Sequence, residues 1–330
     1  MKQKKAIAIT MGDPGGIGPE VIVKAIAGGA GKHCVPLVIG DAELMKAACR
    51  LSKLPLRVRP VSCAAEVQPG MGGINVIDVR SRLSSRQGVP TAAAGRAFIG
   101  YLDRAVELAV SGEVQGIVTA PISKESLKMA GYSWPGHTEF LAERTGTREC
   151  AMMFVSPRLK VILCTIHIPL RDVPRKINGQ RVAQTIRLAK KGMDMLGISN
   201  PRIAVAGLNP HAGESGIMGK EEAEAIIPAV ERARQDGLPV SGPFPPDVVF
   251  HKAWRGEYDI IVCMYHDQGL VPFKMVAFDR GVNVTVGLPV IRTSPDHGTA
   301  FDIAWENRAD PSSMIEAIKL AAKMKLRRSS

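Results

Sequence analysis

Three stretches of this sequence carry an apolar run into a histidine. "VILCTIH" closes on His167, "IAVAGLNPH" on His211, and "IIVCMYHD" on His266 followed by Asp267. The chain has only seven histidines, so three at equivalent ends of three expected strands form a pattern. Neutral imidazoles with coordination positions left open suit a catalytic divalent ion, zinc first, with manganese, cobalt or magnesium as alternatives. Singly, each histidine reads better as a satisfied polar residue at a strand end. Together they read as a metal site, provided the three strands share one sheet edge. In open α/β sheets that carboxyl edge is where ligands bind.

A second group supplies charge and hydrogen-bond donors. The stretch "LVPFKMVAFDRGVNVTVGLPVIRTSPDHGTAFDIAW" places Lys274, Asn283 and Arg292 around an apolar strand. Lysine and arginine at a sheet edge hold a phosphate or carboxylate, or are simply solvated cations. In "WPGHTEF", His137 and Thr138 follow a turn and precede a helix. There they donate to an anion at the helix start or cap the helix. Asp247 and Asp267 are candidates for proton transfer or for support of a metal-bound histidine. Asp247, after "GPFPP", also reads as a helix cap.

The elements that must position these groups are legible as alternating short strands and amphipathic helices, hence an α/β protein with largely parallel sheets. Strands are expected at "AIAIT", "VPLVIG", "GINVID", "GIVTAP", "AMMFVS", "KVILCTIH", "PRIAVAGLNP", "DIIVCMYH" and "VNVTVGLP". Helices are expected at "TAAAGRAFIGYLDRAVELAVSG" and "NGQRVAQTIRLAKKGMDMLG", both of helical apolar spacing and both ending in glycine. The opening "TMGDPGGIGPEVIVKAI" makes a tight strand-to-helix turn, with Pro19 suited to a first helical turn. It is not G-x-G-x-x-G, because Val21 stands where the last glycine belongs. Nor is Gly31-Lys32 a phosphate loop, since Ile26 and His33 occupy the other required positions.

Composition narrows the class. At 330 residues and 45% hydrophobic, the chain suits two packed domains. No run approaches the ~20 apolar residues of a membrane helix, and the apolar stretch after the first lysines is too short for a secretory core. A soluble, cytoplasmic protein is expected. The six cysteines form no CxxC pair, and Cys164 and Cys263 sit inside apolar strands as buried hydrophobes do. The net charge of +12 is spread out, dense only in "KMKLRRSS" at the carboxyl end. No basic run alternates with aromatics, so a nucleic-acid partner is not expected.

Together, "GDPGGIGPE", "PGHTEF", "IHIPLRD", "GLNPHAGE", "MYHDQGL" and "GVNVTVGLPVIRTSPDHGTA" resemble the 4-hydroxythreonine-4-phosphate dehydrogenase family, from Gly12 to Ala304. The resemblance implies the isocitrate/isopropylmalate dehydrogenase-like fold, two α/β/α domains around a cleft, which binds NAD or NADP without the usual glycine fingerprint. The implied division places residues 1–125 and 295–330 on the cofactor side, and 126–294 on the metal and dimer side. Position by position it implies a divalent metal on His167, His211 and His266, and substrate contacts from His137, Thr138, Lys274, Asn283 and Arg292. It implies cofactor binding by Asp296, His297 and Gly298, and a homodimer with a shared active site. The implied reaction is oxidation and decarboxylation of 4-phosphooxy-L-threonine to 3-amino-2-oxopropyl phosphate in pyridoxal phosphate biosynthesis. "TAPISKESL" and "GDPGG" depart from the biosynthetic pattern. They resemble a branch that oxidises 4-phospho-threonate or 4-phospho-erythronate. From the residues alone, a metal-dependent hydrolase is the rival of another class, since three histidines and an aspartate also activate water.

Overall fold

The computed structural model describes residues 5–68, 72–79 and 87–326. The first residues of the amino-terminal lysine run and the last four of the basic carboxyl end lie outside the described residues. The chain divides into two compact units, Met1–Arg148 with Leu288–Met324, and Glu149–Gly287 with Lys325–Ser330.

Unit one holds β1 (Ala6–Thr10), β2 (Val35–Gly40), β3 (Arg57–Val61), β4 (Gly73–Asp78), β5 (Gly116–Thr119) and β12 (Ile291–Pro295). They run in the order β3-β4-β2-β1-β5-β12, with every pair parallel. The near-continuous apolar runs of β1 and β2 follow from burial on both faces of a parallel sheet: Ile7, Ile9, Leu37 and Ile39 are all fully buried. The chain leaves β1 for β2 on one side and β5 lies on the other, so the loops after β1 and β5 flank a switch point. Gly12 stands there at φ +72, and a side chain on it would strike the Pro121 carbonyl. The Asp13 amide donates to that same carbonyl at 2.9 Å.

Residues 126–148 and 288–294, expected in the other domain, belong to unit one. The helix Ala92–Val110, capped by Thr91 Oγ1 on the Ala94 amide, carries Gly95 against the backbone of Ser126. Any larger residue at Gly95 would push the short helix Lys124–Met129 away. His137 and Thr138 therefore fall in unit one.

Unit two holds β6 (Ala151–Val155), β7 (Lys160–Leu163), β8 (Ile203–Ala206), β9 (Val240–Phe244), β10 (Ile260–Cys263) and β11 (Val282–Val286), in the order β11-β6-β7-β10-β8-β9. β6 is antiparallel to both β11 and β7, while β7, β10, β8 and β9 are mutually parallel. Its core gathers Phe154, Val161, Leu163, Ala204, Ile261, Leu270 and Phe273, against which Phe250 and Tyr258 pack. The helix Gly179–Met195 starts at Asn178, whose side chain accepts from the Arg181 amide at 2.9 Å.

Candidate functional site

The three histidine-bearing strands are neighbours. β7, β10 and β8 lie side by side and parallel, and His167, His266 and His211 each follow the carboxyl end of one of them. His167 and His266 stand with ring centroids 5.6 Å apart. His266 is the first residue of the helix His266–Ala277. Its Nδ1 donates to Asp267 Oδ1 at 2.7 Å, since a carboxylate can only accept, and this leaves Nε2 as the nitrogen with a lone pair for a ligand. His211 has the same arrangement with Glu214, looser at 3.3 Å. Imidazoles whose Nδ1 is engaged by a carboxylate fit a divalent ion in donor chemistry. Among the described residues, no group of three or more His, Cys, Asp or Glu lies close enough to hold a metal ion. The chain thus brings His167 and His266 together, with His211 on the next strand but outside that pair.

Polar bridges tie these loop starts to one another. Thr165 Oγ1 donates to the Met264 carbonyl at 2.7 Å, linking the β7 and β10 ends. Buried Gln268 accepts from the Met264 amide and donates to the Gly207 carbonyl, both at 2.7 Å, linking the β10 and β8 ends. The His211 loop is built differently. His211, Ala212, Gly213, Glu214 and Ser215 all have positive φ, from 41 to 81. Each non-glycine residue held so costs about 1–2 kcal/mol, and such strain persists only where neighbours enforce it. At the base of this run stands Glu222, 3% exposed, whose carboxylate accepts from the Leu208 and Asn209 amides at 2.7 and 2.8 Å and from Asn209 Nδ2 at 2.9 Å.

Elsewhere in unit two, Lys274 lies on the His266–Ala277 helix with Nζ 5.7 Å from the Phe278 ring centre. Asn283 sits in β11, its Oδ1 buried without a hydrogen-bond partner. Asp267 is the carboxylate on His266, whereas Asp247 is exposed in the first turn of Pro246–Trp254 and does not cap it.

Unit one holds Arg292, His137 and Thr138. Arg292, in β12, is 2% exposed and donates from Nη2 to Thr119 Oγ1 at 2.7 Å. Burial pulls its guanidinium down to about 10, against the opposing charge of Glu139. His137 opens the helix His137–Arg144 without a side-chain cap on Gly136, so neither it nor Thr138 serves as the cap. Its Nε2 is buried without a partner, and burial together with Arg292 holds its pKa well below the ordinary value. A buried cation beside a neutral imidazole with an unused nitrogen is equipped for a carboxylate or phosphate oxygen.

The proposed cofactor residues follow β12 directly. The Asp296 amide donates to Ser313 Oγ at 3.2 Å, and His297 Nδ1 contacts the Gly298 carbonyl at 3.1 Å while its Nε2 is buried unpartnered. That unpartnered nitrogen, and the open space a side chain at Gly298 would meet, fit a polar ligand lying along the loop. Buried Glu20 braces the rest of this loop: it accepts from the Ala309 amide at 2.8 Å, from the Asn307 amide at 3.3 Å and from Lys24 Nζ at 2.7 Å. Trp305 Nε1 donates to the Pro14 carbonyl, so the glycine-rich opening and the 296–309 loop support each other. Asp13, fully buried, accepts from the Gly15 amide at 2.9 Å and Ser126 Oγ at 2.7 Å, and burial raises its pKa.

Glu222, Gln268, Thr165, Thr119, Asp13 and Glu20 were not singled out from sequence. Glu222 is one acid in the run after "GLNPHAGE" that opens what reads as a helix.

The family model described as pyridoxal phosphate biosynthetic protein PdxA matches residues 32–321. A 4-hydroxythreonine-4-phosphate dehydrogenase of Desulforapulum autotrophicum is 49% identical over 324 residues, 97% of this chain and 95% of that one. A D-threonate 4-phosphate dehydrogenase of Cupriavidus necator is 48% identical over 328 residues, 98% of each chain. The crystal structure of a 4-hydroxythreonine-4-phosphate dehydrogenase from Burkholderia phymatum superimposes with a TM-score of 0.88 at 46% identity, covering 99% of this chain and all of that one. The chain belongs to the pyridoxal phosphate biosynthetic protein PdxA family and is a dehydrogenase.

Proposed function

We propose that the protein oxidises the secondary alcohol of 4-phosphooxy-L-threonine with NAD or NADP, and that the product loses carbon dioxide to give 3-amino-2-oxopropyl phosphate for pyridoxal phosphate synthesis. The observation that carries this reading is the trio of adjacent parallel strands β7, β10 and β8, each followed by a histidine, in a chain 49% identical to a relative so named. His167, His211 and His266 would hold a divalent ion, zinc first. When bound, that ion supplies Lewis-acid polarisation of the substrate oxygen. The nicotinamide accepts the hydride, and Asp296, His297 and Gly298 would contact the cofactor.

The remaining steps belong to the chain's own side chains. Asp267 takes the Nδ1 proton of His266 in a hydrogen bond and fixes the ring, a positioning role. Arg292 and Lys274 hold anionic groups of the substrate. His137, kept neutral by burial and by Arg292, offers a hydrogen bond in place of a second charge. Thr138 and Asn283 complete the substrate's polar contacts, Asn283 through a buried oxygen that has no other partner. Asp247 remains a candidate for proton transfer.

A cytoplasmic homodimer is part of the proposal. The helix that carries His266 and Lys274 exposes Val271 at 64%, Met275 at 82% and, just beyond its end, Phe278 at 73%. Their i, i+4, i+7 spacing makes one apolar stripe, the kind of surface a second copy covers. No helix among the described residues is long and apolar enough to cross a membrane.

The second reading, oxidation of D-threonate 4-phosphate, is supported by the 48% identical relative and by the "GDPGG" and "TAPISKESL" segments. Steady-state reduction of NAD and NADP with each phosphorylated acid, with and without a chelator, separates the readings. Faster turnover of the amino acid supports the first and of the sugar acid the second. Phosphate release without cofactor reduction would overturn both in favour of a hydrolase.

A further inference from the structure

The base of the His211 turn is held chiefly by one buried carboxylate, Glu222, while the neighbouring Glu221 takes a single bond from Asn209 Nδ2 at 2.8 Å. Glu222 receives three hydrogen bonds from residues 208 and 209, the two positions before Pro210 and His211. It lies in a π-helical turn, Glu222–Ile226, an irregularity that recurs at functional sites. Two glycines make room for it: a side chain at Gly213 would come 2.7 Å from Glu222 Oε2, and one at Gly207 would come 3.1 Å from Oε1. Gln268 grips the Gly207 carbonyl from the β10 side, so the base of the turn is fixed at both ends. What lies beyond that base is the left-handed run that presents His211.

We propose that Glu222 is a positioning residue for His211: its carboxylate sets the left-handed turn and thereby the direction of the imidazole. The proposal rests on the reading of His211 as a metal ligand. It predicts that Glu222 acts on metal affinity through His211 alone, whereas a purely stabilising residue would act on the whole unit.

The test is a zinc titration of the full-length, metal-stripped protein against a chromophoric chelator, comparing wild type, Glu222→Gln, His211→Ala and the double variant. Glutamine keeps one acceptor oxygen but turns an amide donor toward Asn209 Nδ2, itself a donor. Glu222→Gln is expected to weaken zinc binding by about 10–100-fold, and the double variant to bind no more weakly than His211→Ala alone. Hydrogen exchange should rise in residues 207–218 and stay at wild-type level across the rest of unit two. Should Glu222→Gln fail to fold, Asn209→Ala removes one of the same bonds together with the Asn209–Glu221 bond, and is expected to weaken zinc binding where Glu221→Gln, which touches only the latter, does not. Wild-type affinity in the glutamine variant, losses that add in the double variant, or loosening throughout unit two would each overturn the proposal. A wild-type chain that takes up no zinc removes the metal reading itself and the proposal with it, an outcome distinguishable from the others.

Discussion

Replacing Arg292 by methionine should make the ligand-free protein more stable while destroying its response to anions. The guanidinium is 2% exposed, and its pKa falls from the ordinary arginine value to about 10 because burial penalises the charged form. That drop corresponds to roughly 3 kcal/mol at neutral pH. The folded pKa is depressed, so the unfolded chain binds the proton more tightly; stability is lost as pH falls from the ordinary arginine value through about 10, and the full penalty is present at neutral pH. Methionine fills a similar volume without charge. It forfeits the 2.7 Å bond to Thr119 Oγ1, worth about 1 kcal/mol. The balance is about 2 kcal/mol of stabilisation, or roughly 4–8 °C in melting temperature for a domain of this size. Urea unfolding and thermal melts in anion-free buffer measure it. Inorganic phosphate should then raise the melting temperature of wild type by mass action and leave the variant unmoved. If Arg292→Met melts at or below wild type without anion, or if phosphate stabilises both equally, the buried cation is balanced from within and the anion-binding argument fails.

Asp267→Asn should lower zinc affinity about 10-fold or more, read by chelator competition, because His266 loses the carboxylate that fixes its tautomer. The pKa of His137 is depressed in the folded state, so its contribution to stability is present above the ordinary value of 6.5 and lost as pH falls through the folded pKa. His137→Gln should therefore flatten the acid side of a stability–pH profile. Burial raises the Asp13 pKa, so its contribution is present below 3.8 and lost as pH rises through the folded pKa. Asp13→Asn should raise the neutral-pH melting temperature while still bonding Gly15 and Ser126. Met275→Glu should shift the protein to monomers in sedimentation, and unchanged sedimentation would dismiss the apolar stripe as an interface.

The parallel apolar strands and the histidines after them were legible because burial on both faces writes continuous apolar runs, and because the same strand-to-histidine pattern occurs on β7, β8 and β10. Three strands were not. β3, "RVRPV", and β9, "VSGPF", are outermost in their units' strand orders, where arginine, glycine and proline are tolerated. β12, "IRTSP", looks polar yet is wholly buried. Its Thr293 hydroxyl donates to the Ala317 carbonyl and its Arg292 to Thr119, partners that no local pattern reveals. The braces of the site were hidden for the same reason. Glu222, Glu20 and Asp13 satisfy backbone amides of folded loops, and in a linear reading they resemble any surface acid.

Unit one recruits β12 and the helix Ser312–Lys323 from a segment that follows the whole of unit two's sheet, and β12 pairs with β5. During synthesis the early strands of unit one must wait, while β6 to β11 emerge consecutively and can pack as soon as they clear the ribosome. The order of birth and the order of completion are thus reversed: the half made first finishes last. A nascent chain arrested before Leu288 should carry a protease-resistant second half and a first half still open to cleavage.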